Sequence, residues 1–541
     1  MTNFTGTAGN DTIDGTSGND RFDLTQGGID KVQGEAGNDT FVFGATLTAA
    51  DRIDGGTSGD AVTLNGDYSA GLVFQAATMV NVERIVLAAG HSYNLTTANQ
   101  TVAAGAALKV DGSALALGQT LTFDGSKEKD GHFLIIGGAD NDLLTGGSGN
   151  DTFDLTKGDC DVANGNAGND TFIFGSTFDT TDKVNGGTGT NIITLDGDYS
   201  GGFVVAADQI TSIATMTLGG GFTYNLTFGA GVGQPSTIDG SAAGQIIIDA
   251  EGTGNAKPVL VIGSAGNDTV TGASTFDGGD GDDTFIAGST AVGFNGGSGH
   301  DVWEMTTGGL YALAAKTTGV EEMDLMASNQ NYTITMAFQA FAGNPGLTID
   351  GHLLDASHSV TITPHNSGDG AAPQSAIGGA GNDVLEAQGG ILEGNGGADH
   401  LSGGFAEDQA HDDVAVGTET FVYNTVSDST STAYDTLSWF DPSHDMFQMP
   451  TAVSAVDTAV TTGALSTASF DTDLAAAIGA GQLGAGHAVV FTPNSGTLAG
   501  DHFLIVDANG TAGYQAGADY VMLLDGTSGT DVSTSNFTTP V

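Results

Sequence analysis

The chain has 541 residues, of which 87 are Gly and only 9 are Pro, and its 11 Lys plus Arg stand against 65 Asp plus Glu for a net charge of −54. That charge repels phosphate backbones and anionic lipid surfaces, which excludes nucleic-acid binding. A hydrophobic fraction of 39% excludes general disorder, and glycine without a three-residue period excludes collagen.

Cys160 is the only cysteine, so no intramolecular disulfide can hold the chain together. No run of 18 apolar residues is present, so no transmembrane helix is expected. The N-terminus, Met1-Thr2-Asn3-Phe4-Thr5, has neither a basic nor an apolar segment. The expectation is export without a cleaved leader.

Glycine-rich turns begin at once. Gly6 and Gly9 precede Asp11, Gly15 and Gly18 precede Asp20, and Gly37 precedes Asp39. A looser turn, Gly55-Gly56-Thr57-Ser58-Gly59, leads into Asp60. Each turn is followed by a short alternating segment such as Thr40-Phe41-Val42-Phe43, which reads as a strand. The pattern is GGxGxD-x-U, where U is a large apolar residue. Glycines let a tight turn form and bring carbonyl oxygens inward, and the Asp adds a carboxylate. Hard oxygen ligands of this kind suit Ca²⁺.

Short strands punctuated by Gly or Asn follow: Val80–Leu87, Tyr93–Thr96, Val110-Asp111 and Leu121–Asp124. The chain then repeats itself. Asp20, Phe22, Asp23 and Leu24 recur as Asp151, Phe153, Asp154 and Leu155, an offset of 131 that also carries Gly66–Ser69 onto Gly197–Ser200. A constant offset over such a length marks a duplicated module. The turns of the second copy are Gly138 with Asp142, Gly147 and Gly149 with Asp151, and Gly168 with Asp170. Where the first copy has Asp60 the second has Asn191, which removes a charge.

A third copy opens with Gly266 and Asp268, followed by Gly279, Gly281 and Asp283, then Gly297, Gly299 and Asp301. A last turn cluster has Gly379, Gly381 and Asp383, then Gly397 and Asp399. Residues 407–413 read as an acidic loop. Beyond it, Phe421–Tyr423, Thr436–Asp441, Ala488–Phe491, His502–Asp507 and Asp519–Leu524 read as strands, and Phe470–Ile478 as a helix with Ser469 before it. A repeat stack needs an atypical end, and this segment fits that place. The expected domains are modules at 1–136, 137–261 and 262–376, a final turn cluster at 377–412, and a cap at 413–541.

These nonapeptides resemble the RTX, or haemolysin-type calcium-binding, repeats of bacterial secreted proteins. The resemblance implies an all-β fold, a parallel β-roll or β-solenoid. In it consecutive turns stack, and several Ca²⁺ ions lie between them, held by Asp carboxylates and glycine-turn carbonyls. It also implies type I secretion through a C-terminal signal, and the strand portions are similar to segments of surface-layer proteins.

Enzyme motifs are absent. No His is followed by Glu, so H-E-x-x-H does not occur, and no complete G-x-S-x-G occurs. His352, His358, His365, His400 and His411 are expected to be loop histidines rather than a transition-metal site. Asn94 and Asn225 match a glycosylation acceptor, but their equivalent places in a duplicated strand favour a structural Asn ladder. The expected function is a non-enzymatic, extracellular, self-assembling calcium-binding protein of surface-layer or matrix type. Its expected partners are itself, the type I secretion machinery and cell-surface polysaccharide. The alternative is a calcium-dependent adhesin or ligand-binding module.

Overall fold

Nine residues suffice for one short strand and one turn, so two nonapeptides carry the chain out along one sheet and back along another. The computed structural model shows this throughout. It describes residues 1–229, 235–251, 259–288, 293–313, 317–326, 330–336, 346–364, 375–387, 390–403, 418–526 and 531–540. The expected acidic loop at 407–413, with His411, and His365 lie outside the described residues. The chain divides into two units, Met1–Ala273 and Ser274–Val541.

Each unit is a parallel β-solenoid. In the first, Thr2–Thr5, Asp20–Asp23, Thr40–Phe43, Ala61–Leu64 and Arg84–Leu87 pair in register along one sheet. Thr12–Asp14, Lys31–Gln33, Arg52–Asp54 and Met79–Val80 form a second sheet. Parallel ladders stack like on like, so each apolar position falls on its counterpart. Phe4, Phe22 and Phe41 stack at centroid spacings of 4.9 and 4.8 Å, and Phe153 stacks on Phe172 at 4.8 Å. Phe22, Phe41, Val62, Ile85, Phe153, Phe172 and Ile193 are fully buried, so the core is a column of U residues between the sheets.

The second unit has the same kind of geometry, as in the pairing of Thr284–Ala287, Val302–Met305, Glu322–Leu325 and Thr348–Asp350. It ends differently. Asp435–Ser438 pairs parallel with Tyr520–Asp525, and the sheet then turns antiparallel through Phe503–Val506 and His487–Phe491. The helix Phe470–Ala477 lays Phe470 and Leu474 against Phe491, Phe503 and Ile505. This cap buries an end of the stack that would otherwise be an open edge. Ser469 does not cap the helix through its hydroxyl; that group donates to Asp473 at 2.6 Å.

Candidate calcium-binding turns

In the first unit, turn Asp residues about nine positions apart, such as Asp11 and Asp20, belong to different columns on opposite edges of the solenoid. The expectation that consecutive turns stack is therefore corrected: turns two repeats apart stack. The Asp20 amide donates to Asp39 Oδ1 at 2.7 Å, and the Asp39 amide to Asp60 Oδ1 at 2.7 Å, across 19 and 21 residues. On the other edge the Asp11 amide donates to Asp30 Oδ1 and the Asp30 amide to Asp51 Oδ1. The second copy repeats both columns. Asp142, Asp161 and Asp182 are linked on one edge, and Asp151, Asp170 and Asn191 on the other. Further columns link Asp283 to Asp301 and Asp383 to Asp399 to Asp435. The Asp268 Oδ1 accepts the Ile246 amide.

The Asp carboxylates that open a column cap their own turns. Oδ2 of Asp20, Asp142, Asp151, Asp268 and Asp383 accepts an amide four residues back, at 2.6–2.8 Å. Asp51 and Asp182, which end columns, accept an amide three residues back through Oδ2 at 2.7 Å, but several other ladder members find no donor. Oδ2 of Asp39, Asp60, Asp170, Asp301 and Asp399 is buried with no hydrogen-bond partner. A buried carboxylate oxygen without a donor is costly unless a proton or a cation takes its charge. Burial accordingly raises Asp60, Asp170 and Asp301 to about 6, and Asp399 to about 9 with help from Asp435 beside it.

Room for an ion comes from glycine. A Cβ at Gly34 would lie 2.4 Å from Asp39 Oδ2, and one at Gly165 2.1 Å from Asp170 Oδ2. The turn glycines also stack on one another. A Cβ on Gly37, Gly168, Gly297, Gly299 or Gly397 would strike Gly18, Gly149, Gly279, Gly281 or Gly381 of the preceding coil. Gly28 meets Gly9, and Gly266 meets Gly244, in the same way. Gly6 and Gly15 pack against Asp11 and Gly34, while the amides of Gly138, Gly147 and Gly379 cap Asp142, Asp151 and Asp383. Carboxylate oxygens and close-stacked turn carbonyls form the all-oxygen donor set that Ca²⁺ takes. The residues present fit the ion, and what it supplies when bound is positive charge between stacked turns.

The glycine-rich turns are legible in the sequence, but four of the six Asp residues on one edge of the two copies are not. Asp30, Asp51, Asp161 and Asp182 are all buried ladder members. Their turns lack GGxG, so only the trailing D-x-U remains as a signal: Asp30-Lys31-Val32, Asp51-Arg52-Ile53 and Asp182-Lys183-Val184. Glu83 and Glu321 were also missed. Each ends a column, with Oε2 accepting the amide of Asp60 at 2.7 Å and of Asp301 at 2.8 Å. Offset by 131, Glu83 becomes Ala214 where Asp60 becomes Asn191. The second copy has thus lost both carboxylates at that step, and Asn191 Nδ2 donates to the Ser212 carbonyl instead.

His352 and His358 lie in turns, as expected, but His400 does not: it opens the strand His400–Gly403, paired with Val384 on one side and Thr436 on the other. His352 Nδ1 meets Asp350 at 2.6 Å and His358 Nδ1 meets Asp355 at 2.7 Å, while His400 reaches only Ser438 at 3.4 Å. The Asn ladder does not form: Asn94 pairs in register with Thr122, and Asn225 with Ile247, so no Asn stacks on Asn.

Comparison with protein families agrees with this geometry. The model of the RTX calcium-binding nonapeptide repeat (4 copies) matches residues 3–28, 24–45, 134–159, 161–181 and 253–274. The chain carries RTX calcium-binding repeats. These repeats bind multiple Ca²⁺ ions. The peptidase M10 serralysin C-terminal model matches residues 287–466. Together the two matches are typical of type I secreted RTX proteins, and no catalytic peptidase domain is among them. No curated protein matches the chain.

Proposed function

We propose that this RTX chain is a calcium-dependent extracellular structural protein that assembles with copies of itself into a surface layer or matrix. The observation that carries the reading is the equivalence of Asp20 and Asp151. Each caps its own turn through Oδ2 at 2.6 Å, accepts an amide from the preceding coil through Oδ1, and donates its amide to the next Asp. Duplicated coils of one geometry offer similar surfaces at a fixed spacing, which suits heterologous contacts that propagate. The division into modules at 1–136, 137–261 and 262–376 belongs to this proposal. So do export by the type I machinery with a signal after residue 480 and retention on a cell-surface polysaccharide.

A net charge of −54 opposes association until cations neutralise part of it. Purified protein brought to millimolar Ca²⁺ is expected to form ordered sheets or filaments by electron microscopy, and to disperse in chelator. Folded protein that stays monomeric over a range of concentrations counts against assembly and favours the adhesin alternative.

A further inference from the structure

Four turns of the chain share one construction without being calcium nonapeptides. They are Asp111-Gly112-Ser113-Ala114-Leu115, Asp124-Gly125-Ser126-Lys127-Glu128, Asp239-Gly240-Ser241-Ala242-Ala243 and Asp350-Gly351-His352-Leu353-Leu354. In each, the Asp accepts the amide two residues on, and the fifth residue donates its amide to the glycine carbonyl at 2.8–2.9 Å. Each lies one coil before a calcium turn, the one closed by Asp142, Asp151, Asp268 or Asp383 respectively. The fifth residue packs down onto that turn. Ala139 donates to the Leu115 carbonyl at 3.0 Å, Ser148 to the Glu128 carbonyl at 3.0 Å, and Ala380 to the Leu354 carbonyl at 2.9 Å.

Three of these four buried positions are apolar: Leu115, Ala243 and Leu354. The fourth is Glu128, which is 0% exposed. Its Oε1 accepts the amides of Lys129, Asp130 and Gly131 at 3.1–3.4 Å, and its Oε2 is buried with no partner. The flanking Lys127 and Lys129 are exposed, and among the described residues no cation pairs with it. Its side chain stands over Gly147, where a Cβ would come within 3.1 Å of the Glu128 Cβ, and its charge bears on Asp151. A carboxylate in a position built for leucine is costly there unless something neutralises it.

We propose that Glu128 is a calcium ligand, which converts the otherwise inert turn Gly125–Gly131 into the upper half of a Ca²⁺ site completed by Asp151 and the Gly146–Asp151 turn. The corresponding turns at Leu115, Ala243 and Leu354 lack the carboxylate and form no such half-site. The inference rests on calcium binding by the repeats and is independent of assembly.

The test compares the full-length chain with Glu128→Gln and Glu128→Leu, the latter restoring the residue found at the sister turns. Bound Ca²⁺ per chain is measured by equilibrium dialysis over a range of free Ca²⁺. Each variant is expected to lose one Ca²⁺ per chain, or to bind one ion at least about ten-fold more weakly, with the circular dichroism spectrum at saturating Ca²⁺ unchanged. If Glu128→Leu does not fold, the isosteric Glu128→Gln carries the measurement. Unaltered stoichiometry and affinity in the folded variant overturns the proposal.

Discussion

At the scale of single residues, the carboxylates divide by what their second oxygen finds. Asp151 finds an amide of its own turn; Asp170, one coil on, finds none. The second copy gives a natural comparison, because Asp60 and Glu83 are replaced there by Asn191 and Ala214. Asn191 keeps the ladder by accepting the Asp170 amide at 2.9 Å, but brings no negative charge. The double substitution Asn191→Asp with Ala214→Glu is expected to add one Ca²⁺ per chain in equilibrium dialysis, and Asn191→Asp alone to add a weaker one. No gain from the pair would show that those carboxylates shape the turn without binding an ion.

The same carboxylates set a pH dependence for the metal-free chain. Burial lifts Asp142 and Asp170 to about 6, Asp151 to about 7 and Asp161 to about 8, above the ordinary value of 3.8. Groups raised on folding bind protons more tightly in the folded state. Their contribution is fully present below the unfolded pKa and is lost as pH rises through the folded values. Metal-free protein is therefore expected to keep more strand signal at pH 5 than at pH 8, with the loss falling between about 6 and 8. Protons stand in for calcium at low pH. A metal-free circular dichroism spectrum that does not vary over that range would contradict this account.

At the scale of elements, the coil is set by its turns. Gly168 has φ +122°, and a Cβ there would lie 2.2 Å from the Gly149 carbonyl oxygen. Both the left-handed backbone and the close approach exclude a side chain. Gly201 lies in a strand with nothing within 4 Å of an added Cβ. Gly168→Ala is expected to cost about 1–3 kcal/mol in the calcium-loaded state, within the range for forced backbone strain, whereas Gly201→Ala falls within about 0.5 kcal/mol of the parent. Thermal unfolding of the two variants side by side measures the difference. Equal melting temperatures would mean that the turns do not bear on the stability of the stack.

Sequence was informative at this scale where local chemistry repeats. Gly plus Asp at fixed spacing marked the turns, and alternation marked Thr40–Phe43 and Tyr93–Thr96 as strands. The cap helix at Phe470–Ala477 followed from its alanines. What escaped was set by stacking between coils. Asp30 and Asp182 belong to columns only because another Asp lies about 20 residues away on the same edge, with no glycine motif to announce them. Glu83, Glu128 and Glu321 are single substitutions at column ends and entry turns, visible once the coil above each one is known.

For the whole molecule, the question is what holds so many short parallel strands together. Parallel pairing joins residues of successive coils that are 16–36 positions apart along the Asp columns, and closing each coil costs chain entropy. There is one cysteine and therefore no internal crosslink. The apolar column supplies part of the drive, but buried carboxylates stacked along the edges oppose it until their charge is met. These two facts lead to the expectation that bound calcium is a condition of folding rather than an addition to a finished fold, since an ion that binds the stacked turns and not the unfolded chain lends its binding energy to folding. The expectation is little β-structure in chelator at pH 7.5 and a cooperative gain on adding Ca²⁺, with a midpoint of about 10⁻⁴–10⁻³ M as for extracellular calcium modules. Circular dichroism during a Ca²⁺ titration reads this directly, and Mg²⁺ at the same concentration is expected to do little, because it holds its water and demands stricter octahedral geometry. A chain with full strand signal in chelator at that pH would mean that the apolar column suffices, and that the ions serve some purpose other than folding.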